Sequence, residues 1–253
     1  MAADFSQQLR KALGDWWREQ AQTQGTWRAG SRLLLDLCAF VRDSTRERRR
    51  ARYGDMDYDW EHRVNTTSGT VRWRERLLGV FHSPYQPTDP AAFREMMAAL
   101  PIDFREFTFI DIGSGKGRTL LMASDYPFRK IVGVELIFDL HRIAETNIAA
   151  YRPRSLQTDP KQDSSSPGAP VESICVDARD FVFPETPLVV YLFNPLPEAR
   201  LRRVRQNLEH SWKLAPRPMW VVYHHPVLEA ALTEPPWLQR VGGTEQYSLY
   251  LAK

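Results

Sequence analysis

The spacing of apolar side chains divides the chain into stretches of different period. Near the N-terminus Phe5, Leu9, Leu13, Trp16 and Trp17 recur every three or four residues, which predicts an amphipathic helix. A second helix is expected from about Ser31 to Arg50, with Leu33, Leu34, Leu37, Phe40 and Val41 inward. Residues 54–86 lose this period and read as a long polar connector or lid. Asp89-Pro90 then supplies an N-cap with proline at the first helical position, and the helix 91–100 presents Phe93, Met96, Met97 and Leu100. From residue 107 short apolar runs alternate with helical segments. Strands are predicted at 107–112, 130–136, 173–176, 188–193, 219–223, 238–241 and 247–251, and helices at 117–126, 138–150 and 198–212. Near-continuous apolar strands separated by helices imply an α/β fold, a mostly parallel sheet with helices on both faces. Residues 152–170, rich in Pro and Ser, read as a flexible surface insertion. The expected organisation is therefore a helical N-terminal extension over 1–84 and an α/β domain over 85–253.

Composition narrows the class. With 253 residues, 43% hydrophobic and 26% charged, the chain can bury a substantial core. The net charge of +3 is mild and does not by itself argue for nucleic acid or an anionic membrane as partner. Charge is concentrated locally, at Arg46, Arg48, Arg49, Arg50 and Arg52. This run reads either as a solvated helix end, where cations are favourable, or as a basic patch for weak nucleic-acid contact. Cys38 and Cys175 are the only cysteines, which excludes a disulfide framework and a four-cysteine metal site and suits a reducing compartment. The first residues carry no basic-then-apolar leader pattern, and the apolar stretch Leu33–Val41 is far short of the roughly 20 residues that cross a bilayer. A cytoplasmic protein without membrane insertion is expected.

The candidate chemistry centres on Asp111-Ile112-Gly113-Ser114-Gly115-Lys116-Gly117-Arg118, an apolar strand running into a glycine-rich turn that opens a helix. Glycines there permit positive φ and close approach of a ligand. The mononucleotide loop Gly-x-x-x-x-Gly-Lys-Ser/Thr is not matched, and in the dinucleotide pattern Gly-x-Gly-x-x-Gly the third glycine position holds Arg118. Three further strands also end on a polar residue: Glu135 after the second, Asp177 after the third and Asn194 after the fourth. The carboxyl edge of an open α/β sheet is where such folds bind ligands.

With these residues the chain resembles the class I S-adenosylmethionine-dependent methyltransferases from about residue 85 to 253. The resemblance implies a Rossmann-like sheet of seven strands with the last antiparallel, and S-adenosyl-L-methionine as cofactor. It implies that Asp111 and the loop residues Gly113, Ser114, Gly115 and Gly117 approach the methionine part of the cofactor. Glu135 would bind the ribose hydroxyls, Asp177 would accept from the adenine amino group, and Ala178 would offer its N–H to the ring. Asn194-Pro195-Leu196-Pro197 resembles the Asn/Asp-Pro-Pro-aromatic motif of amino-group methyltransferases, in which the amide oxygen holds the target nitrogen. Leu196 and Pro197 depart from it, and the aromatic residue that would stack on a flat base is missing there. The implied acceptor is an amine or amide nitrogen of a protein or small molecule, ahead of nucleic acid. Tyr85-Gln86-Pro87-Thr88 is similar to the cofactor-facing segment of Dot1-like lysine methyltransferases, which implies Tyr85 and Thr88 near the methionine end.

Two other classes remain as alternatives. A nicotinamide-dependent oxidoreductase could use a similar sheet, although Arg118 and the lack of a Ser/Tyr-x-x-x-Lys pair near the site speak against it. A non-catalytic module could bind the cofactor, or RNA through the arginine run. Tyr223-His224-His225-Pro226 reads as a loop or as substrate-pocket lining. Two adjacent histidines cannot readily aim at one ion, and no metal is expected. Trp212, Trp220 and Trp237 read as core.

Overall fold

Five strands carry residues too apolar to face water, and they pair side by side in one sheet. The structure is a computed structural model that describes residues 5–43, 56–68, 71, 74, 77, 80, 85–151, 169–193, 196–234 and 236–253. The strands are β1 Thr108–Ile112, β2 Lys130–Glu135, β3 Val171–Cys175, β4 Leu188–Phe193, β5 Met219–His224, β6 Leu238–Gly243 and β7 Tyr247–Ala252. Their order is β3-β2-β1-β4-β5-β7-β6. All pairs among β1 to β5 are parallel, and β7 runs antiparallel to both β5 and β6. This is the Rossmann-like, seven-stranded, mostly parallel sheet. The chain order reverses between β1 and β4, so the carboxyl ends of β1, β2, β4 and β5 share the edge at the switch point.

The helices are α1 Phe5–Gln24, α2 Thr26–Asp43, α3 Met56–His62, α4 Pro90–Ala98, α5 Arg118–Ala123, α6 Phe138–Ala150, α7 Glu198–Leu214 and α8 Glu229–Thr233. One face of the sheet is apolar over its centre. There Ile110, Ile112, Val132, Val134, Val190, Leu192 and Val221 pack against Leu201, Val204 and Leu208 of α7 and Ala231 and Leu232 of α8. Trp237 lies in this cluster with Trp212 packed against it. The opposite face is mixed. Phe93 of α4 meets Phe109 and Tyr191 edge-on, each at 5.9 Å between ring centroids. Asp111 stands in register with Gly133 on one side and Tyr191 on the other.

Two compact units divide the chain, one of residues 1–61 and 67–86 and one of residues 62–66 and 87–253. In the first, α1 and α2 pack together around Ala12, Trp16 and Ala29, with Gly25 at φ +83 in the turn between them. Asp59 of α3 is buried there and accepts the N–H of Thr67 at 2.7 Å.

Several expectations are corrected in extent. The second helix starts at Thr26, five residues before the expected Ser31, directly after Gly25 at φ +83, and Ala29 adds a buried position to its inward face. The helix after the glycine turn is only six residues long, since three successive turn bonds close it at Ser124 to Tyr126. The sixth strand extends two residues beyond the expected 241, through Gly242-Gly243, with a register shift between Arg240 and Gly242. Helices α3 and α8 and the short 3-10 turn Phe104–Glu106 have too few apolar repeats to be seen as periodic segments. The arginine run 46–52, residues 152–168 of the insertion and Asn194-Pro195 lie outside the described residues. Among the described residues no helix is long and apolar enough to cross a membrane.

Gly133 shows how closely the glycine turn packs on β2. A Cβ there would lie 2.6 Å from both Leu120 Cδ1 and Ser114 Oγ, and 2.9 Å from Ser114 Cβ. Gly133→Ala should therefore destabilise the protein by about 1–3 kcal/mol, the usual cost of overpacking. An unchanged urea midpoint would mean that the turn yields freely.

Candidate functional site

The turn after β1 holds three glycines at positive φ: Gly113 at +80, Gly115 at +55 and Gly117 at +83. An L side chain at any of them would be strained, which is why the sequence needs glycine at alternate positions. The turn's N–H groups are directed inward. Gly113 and Ser114 both donate to the carbonyl of Val134, at 2.8 and 3.1 Å, and Gly117 donates to the carbonyl of Ser114 at 2.8 Å. Gly115 donates to Glu135 Oε2 at 2.8 Å. Those four groups are thus engaged by protein acceptors and do not form a cradle for phosphate oxygens.

Glu135 ends β2 and is 6% exposed. Its second oxygen accepts from the N–H of Ile137 at 2.7 Å. Burial pushes its carboxyl above the ordinary range, while the N–H groups of Ile137, Gly115 and Leu136 pull it back. Each carboxylate oxygen has room for about two hydrogen bonds. With Gly115 on one oxygen, Ile137 on the other and the N–H of Leu136 nearby, the carboxylate keeps capacity for a further hydroxyl donor.

Asp111 lies deeper, at 3% exposed, and accepts from the hydroxyl of Thr119. Burial pushes it up to about 7; the Thr119 bond opposes this and the negative charge of Glu135 adds to it. Two carboxylates sharing this corner favour a cationic ligand, whose charge would offset the cost of ionising Asp111.

Asp177 follows β3 and is gripped by Arg179. The guanidinium donates from Nε to both oxygens at 3.1 Å and from its NH2 group to Oδ2 at 2.7 Å, and the Arg179 N–H adds a bond of 3.0 Å. Burial would raise the Asp177 carboxyl, but Arg179, with the charge of Arg200, outweighs it and holds the group below the ordinary range. The adjacent Ala178 is buried against the apolar face. Arg179 is a residue that sequence reasoning missed; its place two positions after Asp177 was the available signal.

Thr88 is buried and its hydroxyl is 2.8 Å from Tyr191 Oη, which in turn is 2.8 Å from His224 Nδ1. This chain ties the segment before α4 to the ends of β4 and β5. Burial pushes His224 down to about 4, helped by the charge of His225 and opposed by Asp89, so the ring is neutral at pH 7. Burial likewise raises Tyr191 well above the ordinary phenol range. Tyr85 is half-buried and belongs to the first unit.

A second fastening also escaped the sequence. Lys116 is fully buried, and its Nζ donates to Asn65 Oδ1 at 3.1 Å. Arg118 Nε donates to Thr66 Oγ1 at 2.7 Å. Asn147 of α6 donates to the carbonyls of Lys116 and Asn65 and accepts the N–H of Asn65. Residues 62–66 thereby lie on the outside of the glycine turn. An asparagine among the inward positions of a helix, beside Ala144, was the one legible sign. Among the described residues no three His, Cys, Asp or Glu side chains come together to hold a metal ion.

The carboxyl edge therefore gathers Asp111, Gly113, Ser114, Gly115, Gly117, Glu135 and, one strand further, Asp177 with Ala178. No protein-family model matches the chain, and no curated protein matches it. Solved structures similar to it include an RNA methyltransferase from Salinibacter ruber in complex with S-adenosyl-L-homocysteine, at 22% identity over 66% of this chain and 92% of that one, with a TM-score of 0.45. A SAM-dependent methyltransferase from Leishmania major is 13% identical over 65% and 70% of the two chains, with a TM-score of 0.44. A ribosomal protein L11 methylase from Lactobacillus delbrueckii subsp. bulgaricus is 13% identical over 64% and 76%, with a TM-score of 0.41.

The folded protein keeps the Asp111 proton up to about pH 7, whereas the unfolded chain releases it near the ordinary value of 3.8. Between these values the folded state binds more protons, so a rise in pH costs stability. Asp111→Asn retains an oxygen for Thr119 and removes the titration. From pH 5 to about 8 the wild type should lose more than ~1 kcal/mol relative to the variant, a shift of one pKa unit being worth about 1.4 kcal/mol. Parallel urea-midpoint curves for the two proteins would show that Asp111 is ionised throughout.

Proposed function

We propose that this protein is an S-adenosylmethionine-dependent methyltransferase. The observation that carries this reading is the fastened carboxylate of Glu135 at the end of β2, next to a glycine turn whose N–H groups at 113, 114, 115 and 117 are already engaged. A ligand seated there meets carboxylates and close backbone, with few donors for phosphate. That suits a ribose carrying a cationic substituent and disfavours a pyrophosphate, and with it the nicotinamide alternative.

The chain's own residues divide the work. Glu135 binds the ribose hydroxyls with the lone pairs left by Gly115 and Ile137. The glycine turn lets backbone approach the methionine part, and Asp111, once ionised, offsets its positive charge. Asp177 reads the adenine amino group only in competition with Arg179, which already donates to both of its oxygens. Thr88 steadies the segment before α4 through Tyr191. When bound, S-adenosylmethionine supplies a methyl group on a sulfonium, open to attack by a nucleophile. What the protein adds is proximity, orientation and exclusion of water, which need no strong acid or base when the nucleophile is a neutral amine. Asn194, by the motif it heads, orients an amine or amide nitrogen of a protein or small molecule.

Calorimetric titration should give micromolar affinity for S-adenosylmethionine and S-adenosylhomocysteine and no binding of nicotinamide dinucleotides. Tighter binding of NAD(P)H than of either would refute the reading. Glu135→Ala should weaken S-adenosylhomocysteine by roughly 10- to 100-fold, the loss of about 1.5–3 kcal/mol for hydrogen bonds to a charged group. An unchanged affinity with a lowered melting temperature would make Glu135 a fastener of the turn only.

Asn194→Ala should leave cofactor affinity within about threefold while methyl transfer falls by around 10²-fold, as expected when a reacting group loses its orientation. Transfer can be followed by labelling a cell extract with a radioactive methyl donor and fractionating protein, RNA and small molecules. Wild-type rates in both Asn194→Ala and Asn194→Asp would remove the nitrogen assignment.

A further inference from the structure

Beyond the cofactor site, the carboxyl ends of β4 and β5 carry a group of rings that neither the core nor the cofactor reading uses. Phe193 is the last residue of β4, His224 the last of β5, and His225 follows it. The rings of Phe193 and His224 lie 4.2 Å apart at 29°. Those of His224 and His225 lie 4.6 Å apart at 20°, and Phe193 and His225 lie 5.5 Å apart at 28°. All three pairs are close to parallel, whereas aromatic pairs in the core here are mostly tilted or edge-on.

The group is held in place from both sides. His224 is buried, and its Nδ1 is bonded to Tyr191 Oη at 2.8 Å, which fixes the ring plane. His225 is held at φ +49, a conformation uncommon for residues other than glycine, by its N–H donating to the Gln246 carbonyl at 2.7 Å and its own carbonyl accepting from Val227 at 2.9 Å. His224, the ring nearest to both others, is buried, Phe193 is half-buried and His225 is exposed, so the group reaches the surface through the latter two rings. A preorganised group of near-parallel rings at the carboxyl edge of the sheet is complementary to one more flat ring.

We propose that Phe193, His224 and His225 form a stacking platform for a planar aromatic or heteroaromatic ring, and that this ring carries the methyl-accepting atom. The second half rests on the methyltransferase reading; the first does not. The platform supplies from β4 and β5 the stacking surface that Pro197 cannot provide. It favours acceptors such as purines, indoles or aromatic amines over aliphatic amines.

The test uses the full-length protein and 2-aminopurine riboside, whose fluorescence falls when its ring stacks. With S-adenosylhomocysteine saturating, so that a cofactor adenine subsite is filled, the probe should be quenched saturably. Adenosine and indole should displace it, and cyclohexylamine and ribose should not. His225→Gly suits the positive φ and removes the ring; it should weaken the probe about fivefold, with melting temperature and S-adenosylhomocysteine affinity unchanged. Phe193→Leu should weaken it similarly. Absence of saturable quenching, equal quenching by His225→Gly and wild type, or displacement by cyclohexylamine would each overturn the platform. If S-adenosylhomocysteine itself fails to bind, the methyltransferase reading falls, and the same titration run without it still decides whether the rings form a platform.

Discussion

The carbonyl of Val134 and the carboxylate of Glu135 fasten the turn that follows β1, and the rest of the site depends on that attachment. Between them they take the N–H groups of Gly113, Ser114 and Gly115. The attachment works because Gly133, one residue earlier in β2, has no side chain to keep Ser114 and Leu120 away. The turn can then lie flat on the end of the sheet, with α5 starting directly beyond it. A longer side chain on β2 would lift the turn, and the geometry of Glu135 and Asp111 would change with it.

The two faces of the sheet do different work for a common physical reason. The face under α7 and α8 packs mainly aliphatic side chains, whose burial favours folding. The face under α4 and α5 buries Asp111, Tyr191, Thr88 and His224, groups that cost free energy unless they find partners. They find them largely in one another, through Thr119 to Asp111 and through Thr88, Tyr191 and His224. Burial drives the acids up and the histidine down, so each tends toward its neutral form at pH 7.

Residues 62–66 add a restraint on the outer side of the turn. Asn65 and Thr66 engage Lys116 and Arg118, the two long cations of the glycine loop, and Asn147 locks the arrangement from α6. In a phosphate-binding loop those cations would face the ligand; here they are turned to protein oxygens instead. That separates this loop from the mononucleotide type on chemistry as well as on spacing.

Much of this was legible in the sequence. Alternation of apolar runs with helical segments predicted all seven strands, and the helices α5, α6 and α7 between them, to within a few residues, because a buried parallel strand must be apolar almost throughout. Glycine spacing and the acids ending successive strands pointed to the carboxyl edge, since local chemistry alone restricts which residues tolerate positive φ. What the sequence did not contain was partnership across distance. That Asn65 reaches Lys116 across fifty-one positions of chain, and that Phe193 stacks on His224 and His225, follow from strand register and chain return. The sequence alone determined which residues end the strands. Only the tertiary structure decided which of them meet, because hydrogen bonds and ring contacts are made between neighbours in space, and those neighbours are set by how the sheet closes.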